Sequence, residues 1–260
     1  MGLCKLTKTN GKFVKSHIIP KALTRPTVRG NKFIQKSVTS AQSLYIKRAD
    51  SWYDQGIVTR EGENYLSDFD AHAIKELRDR GILWSSNTIA HPATSSTNEI
   101  MVTSFENPNK MRLFFLSLLW RASVSTLAEL ADIILPSEKV ERLRRIIIGE
   151  EDDDLSFFPT ALIQLTEKGP IHNFIPIKQT IGQSKKEIIR FYMDGLIVHM
   201  HLEDPTLAVL NSPIPWEHSM FIGHSKTIIV QVKTSDSFHL ANLTKLVKEY
   251  EQYRNDKPGI

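Results

Sequence analysis

The sequence predicts an α+β protein with an N-terminal module, a helical segment, an antiparallel β-sheet and a C-terminal helix. Three observations support this fold class. Apolar residues recur with helical spacing over residues 110–148, and beyond the acidic loop 150–154 they alternate with polar residues. The dipeptide Asp194-Gly195 joins two alternating runs, which favours a type I′ turn between antiparallel strands. A helical pattern returns over residues 241–253.

The N-terminal part is predicted to contain a hairpin and a helix. Residues 5–14 are typical of a hairpin with Asn10-Gly11 at its turn. Residues 64–77 have apolar side chains at helical spacing, and Gly81 is expected to end that helix.

A polar stretch divides the chain into two predicted units. Residues 87–104 are rich in Ser, Thr, Asn and Ala, which is typical of a linker. We therefore expect a basic module over residues 1–86 and an α+β domain over residues 105–260. In the second unit the periodicity predicts three helices, over residues 110–122, 125–134 and 137–148. It then predicts five strands, over residues 161–165, 171–177, 188–193, 196–202 and 227–233, and a last helix over residues 241–253.

Composition argues against several classes of protein. No apolar run approaches the ~18 residues that a membrane span needs, and the N-terminus has no apolar signal core. We therefore expect a cytoplasmic protein without a membrane partner. Cys4 is the only cysteine, which excludes an intrachain disulfide and a cysteine-rich zinc site. The glycine-rich motifs that cradle nucleotide phosphates do not occur.

The basic residues are concentrated at one end of the chain. Residues 1–49 contain eleven Lys or Arg and no Asp or Glu, whereas residues 50–260 contain 22 basic and 29 acidic residues, a net charge of −7. Such a cationic end favours binding to a polyphosphate, and the expected partner is a nucleic acid, DNA in particular. A solvated basic face or an acidic protein partner are the alternatives. The expected nucleic-acid-binding residues are Lys12, Lys15, Lys21, Arg25 and Arg29.

His17 is the first candidate for a catalytic residue. It lies within the segment Ser-His-Ile-Ile-Pro at residues 16–20, in the region of uniformly positive charge. A neutral imidazole could take a proton from water while the surrounding cations hold a phosphate. Taken alone, a single histidine is more often a structural hydrogen-bonding residue.

The wider pattern resembles HNH-type (ββα-metal) nucleases. The segment Cys-Lys-Leu-Thr at residues 4–7, followed by the segment at 16–20, is similar to the branch of that family written C-x2-C and then S-H-I-I-P. Residues 57–64 resemble the second C-x2-C of the family, which opens a helix and is followed by a metal ligand. The resemblance covers roughly residues 3–80. Thr59 and Gly62 stand at the second cysteine pair, and Glu63 stands at the ligand position.

The resemblance implies a ββα module in which His17 is the general base and Glu63 is a ligand of one Mg²⁺ or Mn²⁺ ion. We predict Asn64 as a second ligand of that ion. Asp68, Asp70 and His72 could complete the ligand set, or they could form a solvated helix face. Because only one of the four family cysteines is present, no structural zinc is expected, and hydrophobic packing must replace it.

Three functions are compatible with these features. The leading hypothesis is a divergent HNH-like endonuclease that hydrolyses DNA with a divalent metal, with a role in bacterial or phage-related defence by analogy. The alternative is a catalytically inactive HNH-like scaffold that binds nucleic acid or a partner protein. A third is an interaction protein whose C-terminal domain docks a protein partner, such as an ATPase or a toxin. Whether the chain is an enzyme stays open at this point.

Overall fold

The structure is a computed structural model that describes residues 1–24, 33–38, 43–48, 51–90, 99–169, 174–182, 185–203 and 220–256. Its helices and strands confirm the predicted α+β fold class. No helix within these ranges combines the length and the apolar character needed to cross a membrane.

The N-terminal part consists of three antiparallel strand pairs and a long helix. Its elements are β1 (Gly2–Leu3), β2 (Asn10–Gly11), β3 (Ser16–His17), β4 (Phe33–Val38), β5 (Ser43–Arg48), β6 (Tyr53–Asp54) and α1 (Arg60–Asp79). The pairs are β1 with β2, β3 with β6, and β4 with β5. The predicted helix over residues 64–77 is confirmed and begins four residues earlier.

The predicted turn of the first hairpin is wrong. Asn10-Gly11 lies in β2 and pairs with β1, and the chain reverses earlier. The Cys4 amide donates to the Thr9 carbonyl at 2.9 Å, and Lys8 adopts a positive φ of 58°. The turn is therefore closed by backbone hydrogen bonds around Cys4 and not by the Asn-Gly pair.

A six-stranded sheet and three helices make up the rest of the described chain. The elements are β7 (Glu99–Thr103), α2 (Pro108–Val124), α3 (Ser137–Ile147), β8 (Thr160–Leu165), β9 (Ile177–Ile181), β10 (Lys186–Met193), β11 (Leu196–His201), β12 (Thr227–Val232) and α4 (Phe238–Asp256). The strand order is β7-β12-β8-β11-β10-β9. Asp194 and Gly195 both have positive φ, as the predicted type I′ turn between β10 and β11 requires.

The prediction of a wholly antiparallel sheet is wrong for one strand pair. β12 runs parallel to β8 and antiparallel to β7, so the sheet is mixed. A long connection separates β11 from β12. Because no tight hairpin turn joins these two strands, β12 can pair with β8 in the parallel direction. Its other neighbour, β7, lies in the stretch that the sequence predicts as a linker.

Capping residues set the limits of α2. The Asn107 side chain accepts from the Lys110 amide at 2.9 Å, and Pro108 occupies the first turn, where its missing N–H costs nothing. At the other end the buried Asp54 carboxylate accepts from the Ser125 hydroxyl and the Thr126 amide. These bonds hold the chain extended at Ser125, so the predicted helix over residues 125–134 reduces to a 3₁₀ turn.

The apolar core is continuous across the predicted linker. One cluster of buried side chains includes Cys4 and Leu66 from the N-terminal part, Phe114 from α2 and Val198 from the sheet. Residues 91–98, in the middle of that linker, lie outside the described residues. The division at 87–104 stays a prediction, but the packing on its two sides belongs to one core.

Candidate functional site

The four positions at which the sequence resemblance expects cysteines, residues 4, 7, 59 and 62, lie together at the start of α1. The Thr7 amide donates to the Cys4 sulfur at 3.5 Å, and a Cβ at Gly62 would lie 2.7 Å from that sulfur. Burial raises the pKa of the Cys4 thiol, but hydrogen bonds from Thr7 and Thr59 outweigh burial, and the pKa lies below its ordinary value. One thiol, two hydroxyls and a glycine are not the thiolate and imidazole ligands that a structural zinc prefers.

His17 lies on the short strand β3, next to a buried serine. Its ring packs against Tyr53 on the paired strand, with ring centroids 5.9 Å apart. The Lys15 ammonium lies 3.6 Å from the centroid of the same tyrosine ring. The buried side chains of Ile18 and Ile19 follow directly and anchor the strand in the core. The His17 ring is thus half-buried against an aromatic ring beside a cation.

Glu63 projects from the first turn of α1 toward β3. Burial raises the pKa of the Glu63 carboxyl, and the nearby Ser16 hydroxyl and Arg121 guanidinium oppose that rise in part. Ser16 Oγ and Glu63 Oε2 are both buried, and neither has a partner of hydrogen-bond geometry within the described residues. The carboxylate that the sequence predicts as a metal ligand therefore lies close to the residue that precedes the predicted base.

Asp70 shares the helix face of Glu63, because seven positions correspond to nearly two turns. Both its carboxylate oxygens are held by Arg121, at 2.7 and 3.1 Å. Burial raises the pKa of the Asp70 carboxyl, and the charges on Arg121 and His17 oppose that rise. His17, Glu63, Asp70 and Arg121 thus interact electrostatically at one junction of β3, α1 and α2.

The other predicted ligands on α1 do not face this junction together. Asn64 is exposed, and Asp68 pairs with Lys110 at 2.7 Å. His72 is about half a turn away from Asp70 around the helix, so it points to the opposite side. Asn64 as a metal ligand stays a prediction.

The ligand set fits a divalent ion only in part. Mg²⁺ commonly uses one or two carboxylates together with waters and substrate phosphates. The unpartnered Glu63 Oε2, beside Ser16 Oγ, fits one such ligand position, whereas Asp70 is already paired with Arg121. In the described part of the chain, no three His, Cys, Asp or Glu side chains form a group that could hold a metal.

Three of the predicted nucleic-acid-binding residues are exposed in the N-terminal part. Lys12, Lys15 and Lys21 are exposed, whereas Lys5 and Lys8 contact α2 and α3. Arg25 and Arg29, the remaining two predicted residues, lie outside the described residues.

The histidines of the C-terminal sheet do not form a comparable site. His199 Nε2 accepts from Arg190 Nε at 2.9 Å. Burial and the Arg190 charge lower the pKa of His199 to about 3, so its ring is neutral and already paired. His201 packs edge-on against Phe221.

The sequence interpretation missed Arg121. The signal was present, because α2 is apolar on all sides and yet contains two arginines, and a buried arginine requires an acidic or carbonyl partner. Comparison of the chain with protein-family models, curated proteins and solved structures found no match.

Proposed function

We propose that the chain is a divergent HNH-like endonuclease that hydrolyses DNA phosphodiester bonds, with His17 as the general base. The observation that supports this function best is the approach of Glu63 to Ser16, the neighbour of His17, at the junction with Asp70 and Arg121. The exposed Lys12, Lys15 and Lys21, which flank His17 in sequence, supply positive charge of the kind that a phosphate backbone requires. A role in bacterial or phage-related defence follows only by analogy with the family that the sequence resembles.

In the proposed reaction the neutral His17 imidazole takes a proton from a water molecule that attacks phosphorus. The P–O bond to the leaving oxygen breaks, and that oxygen takes up a proton from solvent. Lys15 and Lys21 hold flanking phosphates. Glu63, with Ser16 beside it, would hold the Mg²⁺ or Mn²⁺ ion. When bound, such an ion neutralises charge on the phosphate and leaving oxygens.

The test is cleavage of supercoiled plasmid DNA by the purified chain, with Mg²⁺ or Mn²⁺ against EDTA. His17→Ala should lower the rate ~10² to 10⁴-fold, the usual contribution of a general base. His72→Ala is the matched control, because it removes a histidine of the same module that points away from Glu63 and Asp70. Equal rates for His17→Ala and the wild type, or an equal loss in the control, would contradict the assignment.

One observation favours a second candidate function. Arg121 pairs with Asp70 and leaves Glu63 as the single carboxylate at the junction without such a partner. A scaffold that binds nucleic acid or a partner protein without cutting would tolerate this arrangement. Salt-sensitive DNA binding without cleavage under any of the metal conditions would make the scaffold the better account.

A further inference from the structure

Arg121 lies at the centre of the junction although it belongs to α2, beyond the module that the family resemblance covers. Its side chain is about 1% exposed, and a buried guanidinium is costly unless its donors are satisfied. Its Nη1 donates to the His17 carbonyl at 3.2 Å and to Asp70 at 3.1 Å. Its Nη2 donates to the other Asp70 oxygen at 2.7 Å.

These bonds connect the two elements that carry the proposed catalytic groups. The His17 carbonyl belongs to β3, and Asp70 lies on the face of α1 that also presents Glu63. A planar guanidinium with several donors can hold a carboxylate and a backbone carbonyl in a fixed geometry, which a lysine ammonium cannot do. Arg121 also interacts with Glu63 through its charge.

We infer that Arg121 is a positioning residue of the candidate site, which clamps the strand bearing His17 to the helix bearing Glu63. The inference rests on the proposed function and deepens it, because it makes the site depend on a residue from the second predicted unit. Arg121 touches neither water nor phosphate in this role, and it acts through His17 and Asp70.

The chain provides a matched control on the same helix. Arg112 is also fully buried, and it binds Asp153 and the carbonyls of Asp154 and Phe157. Arg112→Lys and Arg121→Lys therefore both keep the charge and both lose a forked set of hydrogen bonds in the core. Only the second substitution disturbs the junction.

The experiment measures single-turnover plasmid cleavage and DNA binding for both variants of the full chain. Misplacing a reacting group by about 1 Å costs ~10²-fold in rate, so Arg121→Lys should lose about that factor while its DNA affinity stays within about twofold. Arg112→Lys should cut at close to the wild-type rate. Similar losses in both variants would reduce Arg121 to a structural residue, and unchanged cutting by Arg121→Lys would overturn the inference directly.

A second readout separates this inference from the proposed function. Among the described residues, the charged or titratable groups near His17 include Lys15 directly before β3, Tyr53 on β6, Asp70 on α1 and Arg121 on α2. Asp70 and the His17 imidazolium attract each other, so Asp70→Asn should move the His17 ring titration, followed by NMR, to lower pH.

The NMR result decides the inference even for a chain that does not cut. Arg121→Lys should displace the ring and amide signals of His17, whereas Arg112→Lys should leave them in place. If the wild type cuts no DNA but these shifts occur, the nuclease proposal fails and the clamp stands. If the His17 signals and titration are unchanged in Arg121→Lys and Asp70→Asn, the clamp is wrong.

Discussion

Two carboxylates on one helix face share a single arginine at the candidate site. Burial raises the pKa of both Glu63 and Asp70, and of these two carboxylates Asp70 is the one that accepts hydrogen bonds from Arg121. Glu63 is left with a buried oxygen that has no partner among the described residues. Because Ser16 and Arg121 offset the burial of Glu63 only in part, ionisation of this carboxyl costs stability. A measurement of stability can reveal the cost.

Glu63→Gln should stabilise the chain at neutral pH. The folded-state pKa of Glu63 lies above its ordinary value of 4.5, so the folded state binds the proton more tightly than the unfolded state. The penalty for ionising Glu63 is therefore absent below that ordinary pKa and complete above the raised one. Urea unfolding should show a higher midpoint for Glu63→Gln than for the wild type at pH 8, and the difference should shrink toward pH 4.

The neighbouring Glu61→Gln is the control for that comparison. Glu61 lies in the same first turn of α1, where a negative charge interacts favourably with the helix dipole, and it is exposed. Its removal should give no gain at pH 8. A Glu63→Gln effect of the same size at both pH values would show that ionisation of Glu63 is not its cause.

The sequence identified some of the residues at the junction and missed the one that connects them. His17 and Glu63 could be predicted from the sequence because the spacing of a short motif points to them. The role of Arg121 could not be predicted, because its partners His17 and Asp70 lie far away in sequence and no local pattern indicates those contacts.

At the scale of elements, the start of α1 depends on a close contact between a helix and a turn. Gly62 is buried in the first turn of that helix, and a Cβ there would lie 2.7 Å from the Cys4 sulfur and 3.1 Å from the Val58 Cβ. The sulfur therefore fills the space that a side chain at residue 62 would need. Packing of this kind joins the N-terminal turn to α1.

Gly62→Ala should destabilise the chain by about 1–3 kcal/mol, the usual cost of overpacking a core. The sign of the change in the free energy of unfolding is informative, because at an exposed position of a helix the same substitution stabilises by about 1 kcal/mol. Cys4→Ala should relieve the overlap, so the double variant should be more stable than the sum of the two single effects predicts. Urea unfolding of the four proteins measures this coupling, and strict additivity would contradict the contact.

Local signals predicted the elements with strong periodicity or clear caps. The helices α1, α2 and α3 and the β10–β11 hairpin are where the spacing and the Asp-Gly turn put them. Two of the failures have non-local causes. Asp54 on β6 ends α2 and thereby prevents the predicted helix over residues 125–134, and pairing with β12 turns residues 99–103 of the predicted linker into a strand.

At the scale of the whole molecule, polar contacts tie the N-terminal part to the rest of the chain at several points. The Lys5 ammonium donates to the Val124 carbonyl at 2.6 Å, and Arg144 donates to the Leu6 carbonyl at 3.2 Å. The Trp84 indole donates to the Leu165 carbonyl at 2.9 Å. Together with the shared apolar core, these contacts mean that neither predicted unit has a complete interior of its own.

A fragment of residues 1–90 should therefore fail to fold, and the full chain should unfold in one cooperative transition. Without α2, the fragment exposes the apolar face of α1 and leaves Asp70 without Arg121, and a short chain with so little buried area is marginal at best. Amide NMR spectra of the fragment should lack dispersion. For the full chain, circular dichroism and the fluorescence of the buried Trp52, Trp84 and Trp120 should report coincident urea transitions.

A well-dispersed NMR spectrum of the fragment, or two separated unfolding transitions of the full chain, would instead support the division at residues 87–104. The clamp by Arg121 would then join two domains that fold independently.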